Sequence, residues 1–136
     1  MARHVVASVE EFDKTDRKLV QVKGRPIVVF RLGEEWFAMS NRCPHMGGSL
    51  CEGQLISLVE AERPGEVTMS REGEILRCPW HGWEFDIRTG QSRARPAAFR
   101  SRQHPVSVVS GAEAESVGNL ETFEVRRDGR YVVVEI

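Results

Sequence analysis

An excess of charge of either sign is what this chain lacks first. Nineteen Lys and Arg face 20 Asp and Glu in 136 residues, for a formal net charge of −1. No global field then draws the protein to nucleic acid or to an anionic membrane, so neither is expected as a partner. Long apolar runs are missing too. The longest are strand-sized pieces such as Ile27–Phe30 and Tyr131–Val134, far short of the roughly 20 residues a spanning helix needs. The opening MARHVVASVEEF lacks the apolar core of a secretory signal. A soluble, cytoplasmic protein is the expectation. Cysteine is scarce, and three is an odd count, so the thiols cannot all pair with one another. The length suits one domain with a real core, and 1–136 is read as a single domain.

Against this plain background stand two short segments, Cys43-Pro44-His45 and Cys78-Pro79-Trp80-His81. Each offers one thiol and one imidazole at close spacing. Two such mixed pairs can hold a two-iron, two-sulfide cluster, with two thiolates on one iron and two imidazoles on the other. A structural zinc site usually draws its ligands as Cys pairs and His pairs at other spacings. Pro44 and Pro79 fix their own φ and push the preceding cysteines toward extended geometry, which favours a stiff presenting loop. Gly47, Gly48 and Gly82 lack a Cβ, so backbone N–H groups could approach a bulky inorganic core and donate to its sulfurs. Two rival readings use the same residues. Cys43 and Cys78 could be small buried hydrophobes beside loop histidines, which leaves the matched spacing unexplained. The better rival is a single zinc ion on the same four side chains.

The boxes CPHMGGSL and CPWHGWEFDIRTG resemble those of Rieske-type [2Fe–2S] ferredoxins, of the kind that serve bacterial ring-hydroxylating oxygenases. The segment from Pro96-Ala97 to His104-Pro105-Val106 resembles that family's proline-containing cluster-covering loop. The resemblance implies one [2Fe–2S] cluster, with Cys43 and Cys78 on one iron and His45 and His81 on the other. It implies cluster-binding loops over about 41–51 and 76–90. It also implies electrons received from a flavin-dependent NAD(P)H reductase and passed singly to a terminal oxygenase. Respiratory relatives add a disulfide that clamps the two loops. Here the corresponding positions are Gly48 and Trp80, so the chain sides with the oxygenase type. With two cysteines on iron, Cys51 has no partner and reads as a packed thiol. Two ferric ions, two sulfides and two thiolates sum to zero charge, against minus two for four thiolates. A less negative cluster accepts an electron more easily.

The rest reads as strands. Leu19–Val22 and Pro26–Phe30 flank a turn at Lys23-Gly24-Arg25, and Trp36–Met39 leads into the first box. Val67–Arg71 and Glu74–Arg77 read as a hairpin around Glu72-Gly73 that feeds Cys78. Phe123–Arg127 and Arg130–Ile136 flank Asp128-Gly129. Acidic residues near Val9–Asp13 suit a helical turn. Short strands with frequent turns predict an all-β, Rieske-like antiparallel sandwich or barrel carrying a cluster-binding subdomain of two loops.

Residues 46–77 make a spacer longer than the resemblance leads one to expect. The excess is placed in Leu55–Val67, read as a surface excursion, neutral or partner-binding. Arg88, Arg93, Arg95, Arg100 and Arg102 follow one another with no Asp or Glu among them. They form either a solvated loop or a docking patch for an acidic partner. Trp36 reads as core. Trp80 and Trp83 bracket His81 and could shield a cluster. His4 and His104 carry no local motif. The chain is also too short for an oxygenase's catalytic domain, so no catalytic site is expected. Two further functional readings are a redox subunit or sensor of a larger complex, similar to a nitrite-reductase small subunit, and a zinc-stabilised interaction module.

Overall fold

The computed structural model describes residues 2–43, 48–79, 82–93, 101–117 and 127–136, without the side chains of 57–63 and 66–72. The chain folds into two compact units, Met1–Ser40 with Gln103–Ile136, and Asn41–Arg102. Among the described residues every strand pairing is antiparallel, as the all-β reading expects.

The first unit holds two sheets. Strands β1 (Arg3–Ser8), β9 (Val106–Ser110) and β10 (Arg130–Glu135) form one, in the order β1-β10-β9. Strands β2 (Arg17–Val22), β3 (Arg25–Leu32), β4 (Glu35–Ser40) and β8 (Gln103–His104) form the other, in that order. The expected β2–β3 hairpin closes at Lys23 and Gly24, whose φ values of 52° and 75° are both left-handed. Two positive φ values at the centre of a two-residue turn match the natural twist of paired strands.

Alternation along the strands sorts the core. Val20, Val22, Ile27, Val29 and Ala38 from one sheet pack on Val6, Ala7, Val132 and Val134 from the other, with Phe12 among them. This is the two-layer packing that a sandwich requires. Trp36 meets Phe12 edge to face at 4.8 Å between centroids and packs against this core, as its strand position predicts. The run Tyr131–Val134 is apolar throughout because β10 is covered on both sides. Tyr131 and Val133 point away from the sandwich, onto Ala114 and Val117 of the helix α1 (Gly111–Val117). The expected helical turn is a 3-10 turn at Val9–Phe12, where the Ser8 N–H donates to Glu11 Oε2 at 2.7 Å. The strand expected over Phe123–Arg127 falls largely outside the described residues. Its Asp128-Gly129 turn is present ahead of β10.

His4 lies on β1 opposite Val134, and His104 on β8 opposite Ala38, in different sheets. His4 Nε2 is buried with no hydrogen-bond partner. That burial, with a lesser push from the Lys23 ammonium, holds its pKa below the usual imidazole value.

The pairing of β4 with β8 places Met39 opposite Gln103. The chain therefore leaves the sheet at Ser40 and re-enters it on the neighbouring strand. Residues 41–102, with both Cys-His boxes, form an insertion at this point and are the second unit. Its sheet runs β5 (Gln54–Arg63), β6 (Glu66–Arg77) and β7 (Glu84–Asp86).

Here the structure corrects the expected hairpin. The turn is at Pro64-Gly65, where Gly65 takes φ 86°, and not at Glu72-Gly73. Val67–Arg71 and Glu74–Arg77 are one continuous strand, β6. Gly73, at φ 71°, marks an irregularity inside it. Between the pairs Ile56–Ile75 and Leu58–Ser70, β5 advances two residues and β6 five. A left-handed glycine thus absorbs surplus residues as a bulge where the sequence suggested chain reversal. The Leu55–Val67 excursion is accordingly most of β5, its turn and the start of β6, paired as two strands with register shifts between Ile56 and Leu58 and between Glu60 and Arg63.

Candidate metal centre

Both cysteines of the boxes sit where a strand gives way to a loop. Cys43 follows β4 by three residues, and Cys78 follows β6 directly. Each is 1% exposed, and no disulfide is formed.

The two loops close in the same way. The Cys43 N–H donates to the Gly48 carbonyl at 2.8 Å, and the Cys78 N–H to the Trp83 carbonyl at 2.7 Å. Both bonds span five positions, from 43 to 48 and from 78 to 83. One step further out, Arg42 pairs with Ser49 and Arg77 with Glu84. Two stretches with different sequences therefore share one frame, each with a buried thiol as its first residue. The residues that close the loops, Gly48 and Trp83, differ in type, so the equivalence shows in the backbone bonds and not in the residues. His45 and His81 fall within 44–47 and 80–81, outside the described residues. So do Pro44, Gly47 and Trp80.

The first loop is held from its base by Asn41, 7% exposed. Asn41 Nδ2 donates to Ser49 Oγ at 2.9 Å, and its Oδ1 accepts the Cys51 N–H at 2.7 Å. Its backbone carbonyl accepts the Leu50 N–H at 2.7 Å. Three consecutive residues are thus tied to one side chain and its own backbone. Sequence reasoning passed over Asn41, although a short polar side chain two residues before a ligand is a reasonable anchor signal. Cys51 is half-buried within the 3-10 turn Leu50–Glu52.

Gly53 ends that turn against the second box. A Cβ there would lie 2.6 Å from the Arg77 carbonyl oxygen, 2.9 Å from Leu76 Cδ1 and 3.0 Å from the Leu50 carbonyl oxygen. Two of these neighbours are backbone and cannot swing aside. Gly53→Ala should cost about 1–3 kcal/mol, the usual penalty of overpacking, and push on β6 just ahead of Cys78. Urea denaturation checks this. An unchanged midpoint would show that the contact relaxes freely.

In the second loop Gly82 takes φ 70°, and a Cβ there would meet Arg77 Nε and Nη2, both at 3.1 Å. Leu50, Ile75, Leu76, Phe85 and Ile87 of the same unit are all 1% exposed or less. Trp83 is half-buried.

The arginine run reads differently once folded. Arg88 Nε pairs with Glu74 Oε1 at 2.5 Å and Arg93 Nη1 with Glu84 Oε1 at 2.7 Å. Two of the five charges are therefore matched by carboxylates from β6 and β7. Arg102 is exposed. Arg95 and Arg100, like the Pro96-Ala97 start of the expected covering loop, lie outside the described residues.

The donor set fits a cluster with two sulfur ligands. Two buried thiols occupy equivalent positions in two loops that close alike, and thiolate is the ligand such clusters take. Among the described residues no three metal-ligating side chains gather. The thiols are what this part of the chain brings to the expected four.

Comparison with known proteins agrees with this geometry. The family model for the Rieske [2Fe–2S] domain matches residues 2–124 and so runs through both units. The anthranilate 1,2-dioxygenase ferredoxin subunit of Burkholderia cepacia is 32% identical over 116 residues, 85% of this chain and 92% of that protein. Among solved structures, the ferredoxin of carbazole 1,9a-dioxygenase from Nocardioides aromaticivorans IC177 superposes with a TM-score of 0.59 at 23% identity, covering 97% of each chain. A chain from a complex of reduced oxygenase and oxidised ferredoxin in carbazole 1,9a-dioxygenase gives 0.58 at 22% identity, over 96% of this chain and 91% of that one. At these identities the two superpositions speak for the fold.

Proposed function

The chain belongs to the Rieske [2Fe–2S] domain family, and from that premise we propose that it carries single electrons from an NAD(P)H-dependent flavin reductase to a terminal oxygenase. The observation that carries this reading is the 32% identity with a dioxygenase ferredoxin subunit over 92% of that subunit's length. One [2Fe–2S] cluster is the family's cofactor, which replaces the single zinc ion considered from the boxes alone. When bound, such a cluster supplies one-electron chemistry between ferric and ferrous iron.

The chain's own residues provide the rest. Cys43 and Cys78 are proposed as thiolate ligands to one iron, and His45 and His81 as imidazole ligands to the other. Asn41 and the two cysteine-to-carbonyl bonds hold the loops in place before any electron arrives, so little reorganisation accompanies transfer. Leu50, Ile75, Leu76, Phe85 and Ile87 keep water from the base of the loops. The two compact units are proposed to serve as one domain, since the family match includes both.

Among the described residues no helix is long and apolar enough to cross a membrane. The cytoplasm, where the reductant NAD(P)H is at hand, is the proposed location. The test is reconstitution. Reduced protein is mixed in turn with candidate terminal oxygenases, and its reoxidation is followed by absorbance. Rapid transfer to one oxygenase, coupled to product formation, is the expected result. A cluster-bearing protein that no flavin reductase reduces and no oxygenase reoxidises would reject the shuttle.

A further inference from the structure

Arg42 and Arg77 hold the same place in the two loops. Each immediately precedes a buried cysteine, and each is exposed. Each pairs across the mouth of its loop, with Ser49 and Glu84 respectively. Strand alternation accounts for this, because a thiol that turns inward leaves its neighbour turned outward. The Arg77 guanidinium also rests against the second loop, with Nε and Nη2 both 3.1 Å from the point where a Cβ of residue 82 would sit. Glycine at 82 leaves that space to the arginine.

Pairing separates these two cations from Arg88 and Arg93. Arg88 and Arg93 are bound to Glu74 and Glu84. Among the described residues, neither Arg42 nor Arg77 has a carboxylate partner. Glu52, on the turn after the first loop, is exposed, and it follows Arg42 by ten positions.

We propose that Arg42 and Arg77 both take part in docking this electron carrier, and that its electron acceptor presents carboxylates to them. The proposal rests on the electron-transfer reading and adds the partner's chemistry to it. Exposed ion pairs add little stability, so the pair acts on encounter. Positive charge beside both ligand loops steers an anionic surface toward those loops.

The test uses the holo-protein, reduced with dithionite and freed of excess reductant. It is mixed in a stopped-flow cell with ferricyanide, a trianion, or with hexaamminecobalt(III), a trication. One electron leaves the protein and ferricyanide becomes ferrocyanide, with no proton moved. The wild-type rate with ferricyanide should fall as salt rises. Arg42→Glu with Arg77→Glu should slow ferricyanide roughly tenfold at low salt and speed the cobalt complex. The single variants Arg42→Gln and Arg77→Gln should each give part of that effect. Arg93→Gln should stay within about twofold of wild type, its charge being matched already. Poly-L-glutamate should slow the wild type and not the double variant. A double variant that reacts with both oxidants as the wild type does would overturn the proposal. So would a midpoint-potential shift large enough to explain the rates. Wild-type protein without iron and sulfide would instead overturn the electron-transfer reading.

Discussion

Cys78→Ala should leave the protein with almost no iron or acid-labile sulfide, and Cys43→Ala should do the same. The wild type should hold about two of each per chain, as a [2Fe–2S] cluster requires. Cys51→Ala should match the wild type. The contrast follows from position. Cys43 and Cys78 are 1% exposed at the first residue of two equivalent loops. Cys51 lies in the turn beyond the first loop, where its backbone N–H donates to Asn41. Removing one buried sulfur costs little packing, so a total loss of metal reports ligation and not unfolding. His81→Ala, and by the same argument His45→Ala, should also abolish or destabilise the cluster. Iron and sulfide assays, with the paramagnetic signal of the reduced protein, distinguish the cases. Loss of the cluster from Cys51→Ala, or its survival in Cys78→Ala, would sink the assignment.

The reduction potential should lie near −150 mV, at the low end of the roughly −150 to +300 mV Rieske range. The resemblance to high-potential respiratory relatives carries the argument. Those proteins place a serine and a tyrosine after the second histidine, and the two hydroxyls donate to a cluster sulfide and a cysteine sulfur. The matching positions here are Trp83 and Phe85, which have no hydroxyl. The structure adds to this. The N–H groups of Cys43 and Cys78 are committed to the Gly48 and Trp83 carbonyls. These two donors are therefore turned from sulfur as well. A hydrogen bond that favours the reduced state by about 1 kcal/mol moves a one-electron couple by about 40 mV. Phe85→Tyr should shift the midpoint upward by that order. Phe85 is fully buried, so thermal melting should accompany the measurement to show that the added oxygen is accommodated. Protein-film voltammetry at neutral pH decides the main point. A wild-type midpoint above roughly +100 mV would defeat the hydrogen-bond argument.

Much of the metal centre was legible in the chain because ligation is chemically local. A thiol and an imidazole within three positions of each other, twice, state a donor set before any folding is considered. The strands of the first unit were legible for a related reason. Their two-residue alternation and their turn residues are properties of neighbours, as at Leu19–Phe30. The helix Gly111–Val117 was missed, yet it too had a local signal. Ser110 precedes Glu113 by three positions, and its Oγ accepts the Glu113 N–H at 3.3 Å. Glu72-Gly73 misled because a left-handed glycine serves a bulge as readily as a turn. Only the register against β5 tells them apart.

What the sequence by itself determined was therefore the chemistry: an antiparallel β framework, two mixed ligand boxes and the family they resemble. Tertiary structure decided what depends on residues brought together from a distance. It showed that the two boxes share one loop closure, because the closing carbonyls and the pairs at the loop mouths come from strand register. It also decided which charges remain open. Arg88 and Arg93 lie in a run without acids, yet Glu74 and Glu84 stand 14 and 9 positions away and meet them across the second unit. Arg42 and Arg77 look unremarkable in the chain. Coulomb attraction depends on separation in space and not along the chain, so folding matched Arg88 and Arg93 with carboxylates and, among the described residues, left Arg42 and Arg77 without one.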